Sequence, residues 1–267
     1  MSVLPVAAEG GVILDRVTAG YGGRPAVESV SARFPSGAVT MLLGPNGSGK
    51  STLIRLLGGS LRFTGRVTLE GKPLNRLKPL QRGRMVGVVS QSPSLTFPFR
   101  VEEVILLGRL PHRKILRGWS REDLEQAGDA AREMELDDLL SRSAPSLSGG
   151  ERQRVLIAQV IAQRPKIYLM DEPSSALDPR HSLRLFRFLR RRAAEGSTVV
   201  VAVHDINLAS EHGDFVCILK RGRVEASGEI ERVLSADLLS EVYETPFEKF
   251  GEAVSADGRR RGAWRAV

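Results

Sequence analysis

Val39-Thr40-Met41-Leu42-Leu43-Gly44-Pro45-Asn46-Gly47-Ser48-Gly49-Lys50-Ser51-Thr52 joins a continuously apolar run to a glycine-rich loop that closes on Lys-Ser. Such a run suits a central parallel strand covered on both faces. From Gly44 the residues fit G-x-x-x-x-G-K-[ST] in full. Glycines let the backbone fold round phosphates with its N–H groups turned inward, and a helix starting near Gly49 adds its positive end. Lys50 can then reach the β- and γ-phosphates, and the Ser51 hydroxyl can ligate Mg²⁺, with Thr52 next in the same turn. Residues 44–52 are expected to bind a nucleoside triphosphate.

Two further runs share this character, Ile167-Tyr168-Leu169-Met170 and Thr198-Val199-Val200-Val201-Ala202-Val203, and Val86-Gly87-Val88-Val89 is a shorter one. Each is followed by polar residues: Gln91 just past Ser90, Asp171-Glu172, and His204-Asp205. Ligands of an open parallel sheet sit beyond the carboxyl ends of its strands, so these elements should converge on one nucleotide. Asp171 is placed to hold the Mg²⁺ shell. Glu172 is placed to orient or deprotonate a water attacking the γ-phosphate.

Outside these runs, the first third alternates short apolar stretches with turns such as Gly20-Tyr21-Gly22-Gly23, as in a partly antiparallel sheet. Between residues 92 and 165 the pattern is helical: Val101 to Leu107, a helix capped by Ser120-Arg121-Glu122-Asp123 and reaching about Leu140, and Glu151 to Gln163. The expected class is α/β. An ATP-binding core covers 1–91 and 166–250, with an N-terminal antiparallel β subdomain, and a helical insertion covers 92–165. Residues 251–267 are expected to form a frayed, solvated tail.

Composition narrows the class further. The chain has 267 residues, 42% hydrophobic and 26% charged, a balance that excludes a disordered chain. Its formal charge of +8 suits nucleic acid, an anionic membrane or a polyanionic ligand and does not choose among them. The lone cysteine, Cys217, excludes an internal disulfide framework and is expected in the core. No apolar run approaches the roughly 20 residues of a membrane-spanning helix. The first residues lack a basic n-region. The expectation is a soluble chain whose membrane role comes through a partner.

Leu147-Ser148-Gly149-Gly150-Glu151-Arg152-Gln153 resembles the signature of the ABC transporters. The other landmarks of that family follow in order: Gln91 resembles the Q-loop glutamine, Ser175-Ala176-Leu177-Asp178 the D-loop, His204 the switch histidine, and Tyr21 the aromatic that stacks on adenine. The resemblance implies a P-loop NTPase core of ABC type and a head-to-tail dimer with two ATPs between the copies. Ser148, Gly149, Gly150 and Glu151 would reach ATP across that dimer, and Asp178 would cross its interface. It implies Glu172 as general base, His204 on the γ-phosphate and attacking water, and Gln91 on Mg²⁺ and in the link to a transmembrane partner.

A single separate nucleotide-binding chain resembles bacterial importers. Leu107-Gly108-Arg109-Leu110-Pro111-His112, Ser120-Arg121-Glu122-Asp123 and Leu177-Asp178-Pro179-Arg180-His181 resemble the ATPases that import haem, ferric siderophores or cobalamin, as does Glu151 in the signature. The partners implied are a second copy, a polytopic permease dimer and, indirectly, a substrate-binding protein, with the chain peripheral at the cytoplasmic face of the inner membrane. Pro93, Phe97, Pro98 and Phe99 are candidates for the permease-docking surface. One rival shares every ATP motif, a soluble assembly factor, for instance for iron–sulfur clusters; a second, a DNA-associated ATPase, is suggested only by charge. No nucleic-acid partner is expected, because the Arg187–Arg192 run reads as a solvated helix face. His112 and His181 lie far apart and are not expected to ligate a metal.

Overall fold

The computed structural model describes residues 10–91, 98–113, 118–254, 258 and 260–267. β1 (Val12–Tyr21) and β2 (Arg24–Phe34) form an antiparallel pair ahead of β3 (Val39–Leu43) and α1 (Lys50–Leu57). β4 (Phe63–Leu69) and β5 (Lys72–Pro73) complete a four-stranded sheet of order β2-β1-β4-β5, and α2 (Pro79–Met85) leads into β6 (Val86–Val89). Three helices follow, α3 (Val101–Leu107), α4 (Arg121–Glu133) and α5 (Gly149–Gln163). The chain then returns through β7 (Ile167–Asp171), α6 (Pro179–Ala194), β8 (Thr198–Ala202), α7 (Ile206–His212), β9 (Phe215–Lys220) and β10 (Arg223–Glu229). It ends in α8 (Ile230–Val233), α9 (Ala236–Tyr243), β11 (Phe247–Val254) and β12 (Arg260–Ala266).

The larger sheet has the order β10-β9-β3-β8-β7-β6, parallel from β9 to β6 with β10 antiparallel at its edge. All residues of β3, β7 and β8 are buried, which explains why these segments are apolar throughout rather than alternating. Successive side chains nevertheless enter opposite cores. Met41, Tyr168, Met170, Val199 and Val201 join the core filled by α3, α4, α5 and α6. Leu42, Ile167, Leu169, Val200 and Ala202 join the core shared by α1 and the antiparallel sheet. Cys217 lies in this second core, fully buried, and burial pushes its thiol up to about 12.

Within the helical insertion, α4 stops at Glu133 rather than near Leu140. Glu135 turns left-handed (φ 51°), and the Leu136 N–H reaches back to the Ala131 carbonyl at 3.0 Å. This closure swings the fully buried Leu136 into the core. The Leu107–His112 and Ser120–Asp123 segments meet in a buried clamp. The Arg109 guanidinium donates to Asp123 Oδ1 at 2.9 Å and to the Ala162 carbonyl of α5 at 2.9 Å, with the two side chains 4% and 7% exposed. Burial pushes the Asp123 carboxyl up, but its bonds to Ser120 and Arg109 outweigh that and hold it below its ordinary value. Asp123→Ala is expected to lower the unfolding free energy by about 3 kcal/mol, because it strips a buried guanidinium of its hydrogen-bonded counter-charge and leaves only the exposed Glu122 carboxylate at 4.0 Å. Urea denaturation would check this.

Two expectations about the surface are corrected. The Arg187–Arg192 run is not simply solvated: Arg191 pairs with Glu133 at 2.7 Å, and Arg192 donates to the Tyr168 hydroxyl at 3.2 Å. Arg190 donates to the His212 carbonyl at 3.1 Å. Nor do the described residues after Phe250 form a frayed tail. β11 and β12 pair as an antiparallel hairpin held against α7. The Asn207 amide donates to the Trp264 carbonyl at 2.9 Å and accepts from the Trp264 N–H at 2.7 Å. Ser210 Oγ donates to the Gly262 carbonyl, and the Trp264 ring is buried. A side-chain amide thus supplies the pairing that a further strand would otherwise provide.

Candidate active site

Four loops gather at the carboxyl ends of β3, β6, β7 and β8. A cleft of about 530 Å³ between them is lined by Ala26, residues 46–52, Gln91, Glu172 and His204. Gly44 and Pro45 hold the loop from behind: Lys50 Nζ donates to the Gly44 carbonyl at 2.6 Å and to that of Pro45 at 3.2 Å. Glycine is required where the loop turns into α1. Gly49 adopts φ 107°, and a Cβ there would lie 2.7 Å from the Ala26 carbonyl oxygen.

Ser51 Oγ donates to Asp171 Oδ1 at 3.0 Å, joining the start of α1 to the end of β7. Asp171 is almost completely buried, and burial raises its pKa above the ordinary value. Burial also lowers that of Lys50, against the pull of Glu172 and Asp171. Both shifts follow from placing charges where water is largely excluded.

Glu172 occupies the left-handed region (φ 49°), which costs a residue with a long side chain free energy. Its backbone is fixed there by its N–H to the Ala202 carbonyl at 3.0 Å and by Ser175, whose N–H and hydroxyl both donate to the Glu172 carbonyl. The carboxylate is held at both oxygens. Gln91 Nε2 donates to Oε2 at 2.6 Å, and His204 Nε2 contacts Oε1. With Glu172 ionised, that second contact requires His204 to carry its proton on Nε2.

The residues fit a magnesium-bound nucleoside triphosphate. The Ser48 hydroxyl is buried inside the loop with no partner among the described residues, a donor suited to a phosphate oxygen. Ser51, Asp171 and Gln91 offer the hard oxygen donors that Mg²⁺ takes.

The remaining expected site residues do not line this cleft. The Tyr21 hydroxyl accepts from Arg55 of α1 at 3.1 Å, with 47% of the residue exposed. Ser148 caps α5, its Oγ accepting from the Glu151 N–H at 3.3 Å, and Glu151 Oε2 accepts from the Ser148 N–H at 2.8 Å. Those bonds from Ser148 keep the Glu151 carboxyl below its ordinary pKa. A Cβ at Gly149 would meet nothing within 4 Å among the described residues, whereas one at Gly150 would lie 2.9 Å from the Ala176 carbonyl oxygen. Asp178 caps α6, accepting from the His181 N–H at 2.8 Å. His112 bonds the Gln163 carbonyl, and His181 lies between Asp178 and Glu135. Pro98 and Phe99 are exposed, while Pro93 and Phe97 lie outside the described residues. Gln153, which closes the signature stretch and to which sequence reasoning gave no role, donates its buried amide to the Pro173 carbonyl at 3.1 Å and ties the signature helix to the loop behind Glu172.

A family model described as ABC transporter matches residues 27–175. The chain belongs to the ABC transporter ATPases. Among curated relatives, the hemin import ATP-binding protein HmuV of Streptomyces coelicolor is 41% identical over 232 residues, covering 86% of this chain and 81% of that protein. The "Probable siderophore transport system ATP-binding protein YusV" of Bacillus subtilis is 33% identical over 231 residues, covering 86% and 84%. Among solved structures, one described as an inward-facing metal-chelate type ABC transporter has a TM-score of 0.80 at 26% identity, covering 97% of this chain and 98% of that one. The dimeric bacterial ABC transporter cassette MJ0796 has a TM-score of 0.73 at 29% identity, covering 82% and 98%. The ABC ATPase fold expected from the motifs is thus the fold found. No described helix of this ABC chain is long and apolar enough to cross a membrane.

Proposed function

We propose that this chain is the ATP-hydrolysing subunit of an importer that moves an iron chelate, haem or a ferric siderophore, through a polytopic permease. The observation that carries the ATPase reading is the convergence of the phosphate loop, the Ser51–Asp171 pair and the doubly held Glu172 on one cleft. The names of the hemin and siderophore relatives support the class of cargo.

Residues 44–52 would bind the phosphates through backbone N–H groups and Lys50, with Tyr21 against the adenine. Ser51, Asp171 and Gln91 would hold Mg²⁺, which when bound neutralises phosphate charge. Glu172 is the base: placed between Gln91 and His204, its carboxylate accepts a proton from water entering the cleft. His204, whose Nε2 contacts Glu172 Oε1 without nucleotide, would swing that N–H onto the γ-phosphate and the attacking water once ATP is bound. Ser148 and Gly149 are exposed and outside their own cleft, which suits a second copy bound head to tail. Their helix N-terminus and hydroxyl would then meet the partner's γ-phosphate, with Asp178 at the interface. Closure of the dimer is driven by ATP binding and released by hydrolysis.

The core of 1–91 and 166–250 and the insertion of 92–165 would act as two units. Exposed Pro98 and Phe99 would meet the permease at the cytoplasmic face. A soluble, non-transport ABC ATPase, such as an iron–sulfur assembly factor, is the alternative. Pull-down of the tagged chain from detergent-solubilised membranes is expected to bring a polytopic permease, whose ATPase is then tested with haem, siderophores and cobalamin. A soluble partner in place of a permease would favour the assembly factor.

A further inference from the structure

Gly44 opens the phosphate loop at φ 138°, where a Cβ would lie 2.0 Å from the Leu219 carbonyl oxygen. The peptide units on both sides of its Cα are held. Its carbonyl accepts from Lys50 Nζ, and its buried N–H donates to the Tyr243 hydroxyl at 3.1 Å, across 199 residues of sequence. Tyr243 is the last residue of α9 and is fixed in turn. Its ring lies 5.6 Å from that of Phe247. Lys220, next to Leu219, donates to the Glu241 carbonyl at 2.6 Å and pairs with Glu244 at 3.1 Å, clasping the end of α9 to the end of β9. Burial raises the phenol's pKa, against the Gly44 bond, so the oxygen accepts while keeping its own proton.

A second brace comes from the same part of the chain. The Gly222 N–H donates to the Ser48 carbonyl at 3.0 Å. The loop is therefore held open from outside by elements that do not line the cleft.

We propose that Tyr243 is a positioning residue for the phosphate loop, and that through it the C-terminal helix sets the fraction of molecules whose loop is ready for a triphosphate. The proposal rests on the nucleotide reading of that loop. Without the phenol oxygen, the Gly44 N–H has no acceptor in a buried place, and a glycine peptide is free to rotate in search of one. Such rotation competes with the phosphate-ready loop, and apparent affinity falls by the fraction of molecules left competent. The chemical step, which uses Glu172 and His204, is untouched once the nucleotide is bound.

The test is titration of the full chain with the non-hydrolysable Mg-AMP-PNP, alongside steady-state ATP hydrolysis. Tyr243→Phe is expected to raise Kd and the KM for ATP roughly 5- to 10-fold while kcat stays within about twofold. Val242→Ala, at a fully buried neighbour, trims packing while leaving the phenol and its bond to Gly44 in place, and is expected to leave Kd unchanged. An unaltered Kd in Tyr243→Phe overturns the proposal, and so does an equal rise in Val242→Ala, which would reduce Tyr243 to packing. Lys50→Ala separates the two readings: if it binds Mg-AMP-PNP as well as the native chain, the nucleotide reading of the loop fails and the proposal falls with it. If only Lys50→Ala weakens binding, that reading stands and Tyr243 alone is refuted.

Discussion

Glu172→Gln is expected to keep ATP binding and to lower kcat roughly 10²- to 10⁴-fold, the usual worth of a general base. The exchange is close to isosteric, so the environment can absorb it. The Gln91 amide can turn to present its oxygen to the new amide nitrogen, and the new carbonyl can still accept from His204. The left-handed backbone, held by Ala202 and Ser175, does not involve the carboxylate. What is lost is the capacity to take a proton from water. Single-turnover hydrolysis beside a binding titration separates the steps, and near-normal turnover would remove Glu172 from the role.

Ser148→Arg is expected to bind ATP as the native chain does and to abolish the ATP-dependent dimer. Ser148 is exposed and makes no contact with its own cleft, so a long cation there leaves the phosphate loop of the same copy untouched. Loss of the Ser148 cap costs α5 about 1 kcal/mol, too little to unfold the chain. In the partner's site, however, the guanidinium occupies the space meant for a hydroxyl and a helix N-terminus. Light scattering with ATP in the hydrolysis-deficient Glu172→Gln background reads the outcome directly. A dimer that survives the arginine would refute the head-to-tail arrangement.

Both substitutions fall on residues that could be read from sequence, because their signals are local. Glu172 and His204 each stand just past a strand whose burial on both faces leaves an unmistakable apolar run. Ser148 stands three residues before the glutamate that completes its cap. Tyr243 left no such trace, and Gln153, though it closes the signature stretch, gave no hint of its contact: each acts through one hydrogen bond to backbone remote in sequence, and a backbone atom carries no residue signal. The end of α4 was hidden because a left-handed glutamate, not a glycine, makes the turn. The C-terminal hairpin was hidden because its run of arginines reads as solvated. Burial of Arg261 rests partly on its ion pair with Glu231, 30 residues earlier.

The sheet order also has a consequence for how the chain is made. β3, the first strand of the larger sheet to leave the ribosome, lies between β8 and β9, both synthesised more than 150 residues later. Until they arrive, an apolar strand stands with both edges unpaired, and the loop behind it lacks Gly222 and Tyr243. A nascent chain therefore carries the complete phosphate-loop sequence for most of its synthesis without the means to shape it, and is at its most aggregation-prone in that interval. Nucleotide capture at full affinity is therefore expected only once α9 is in place behind the loop.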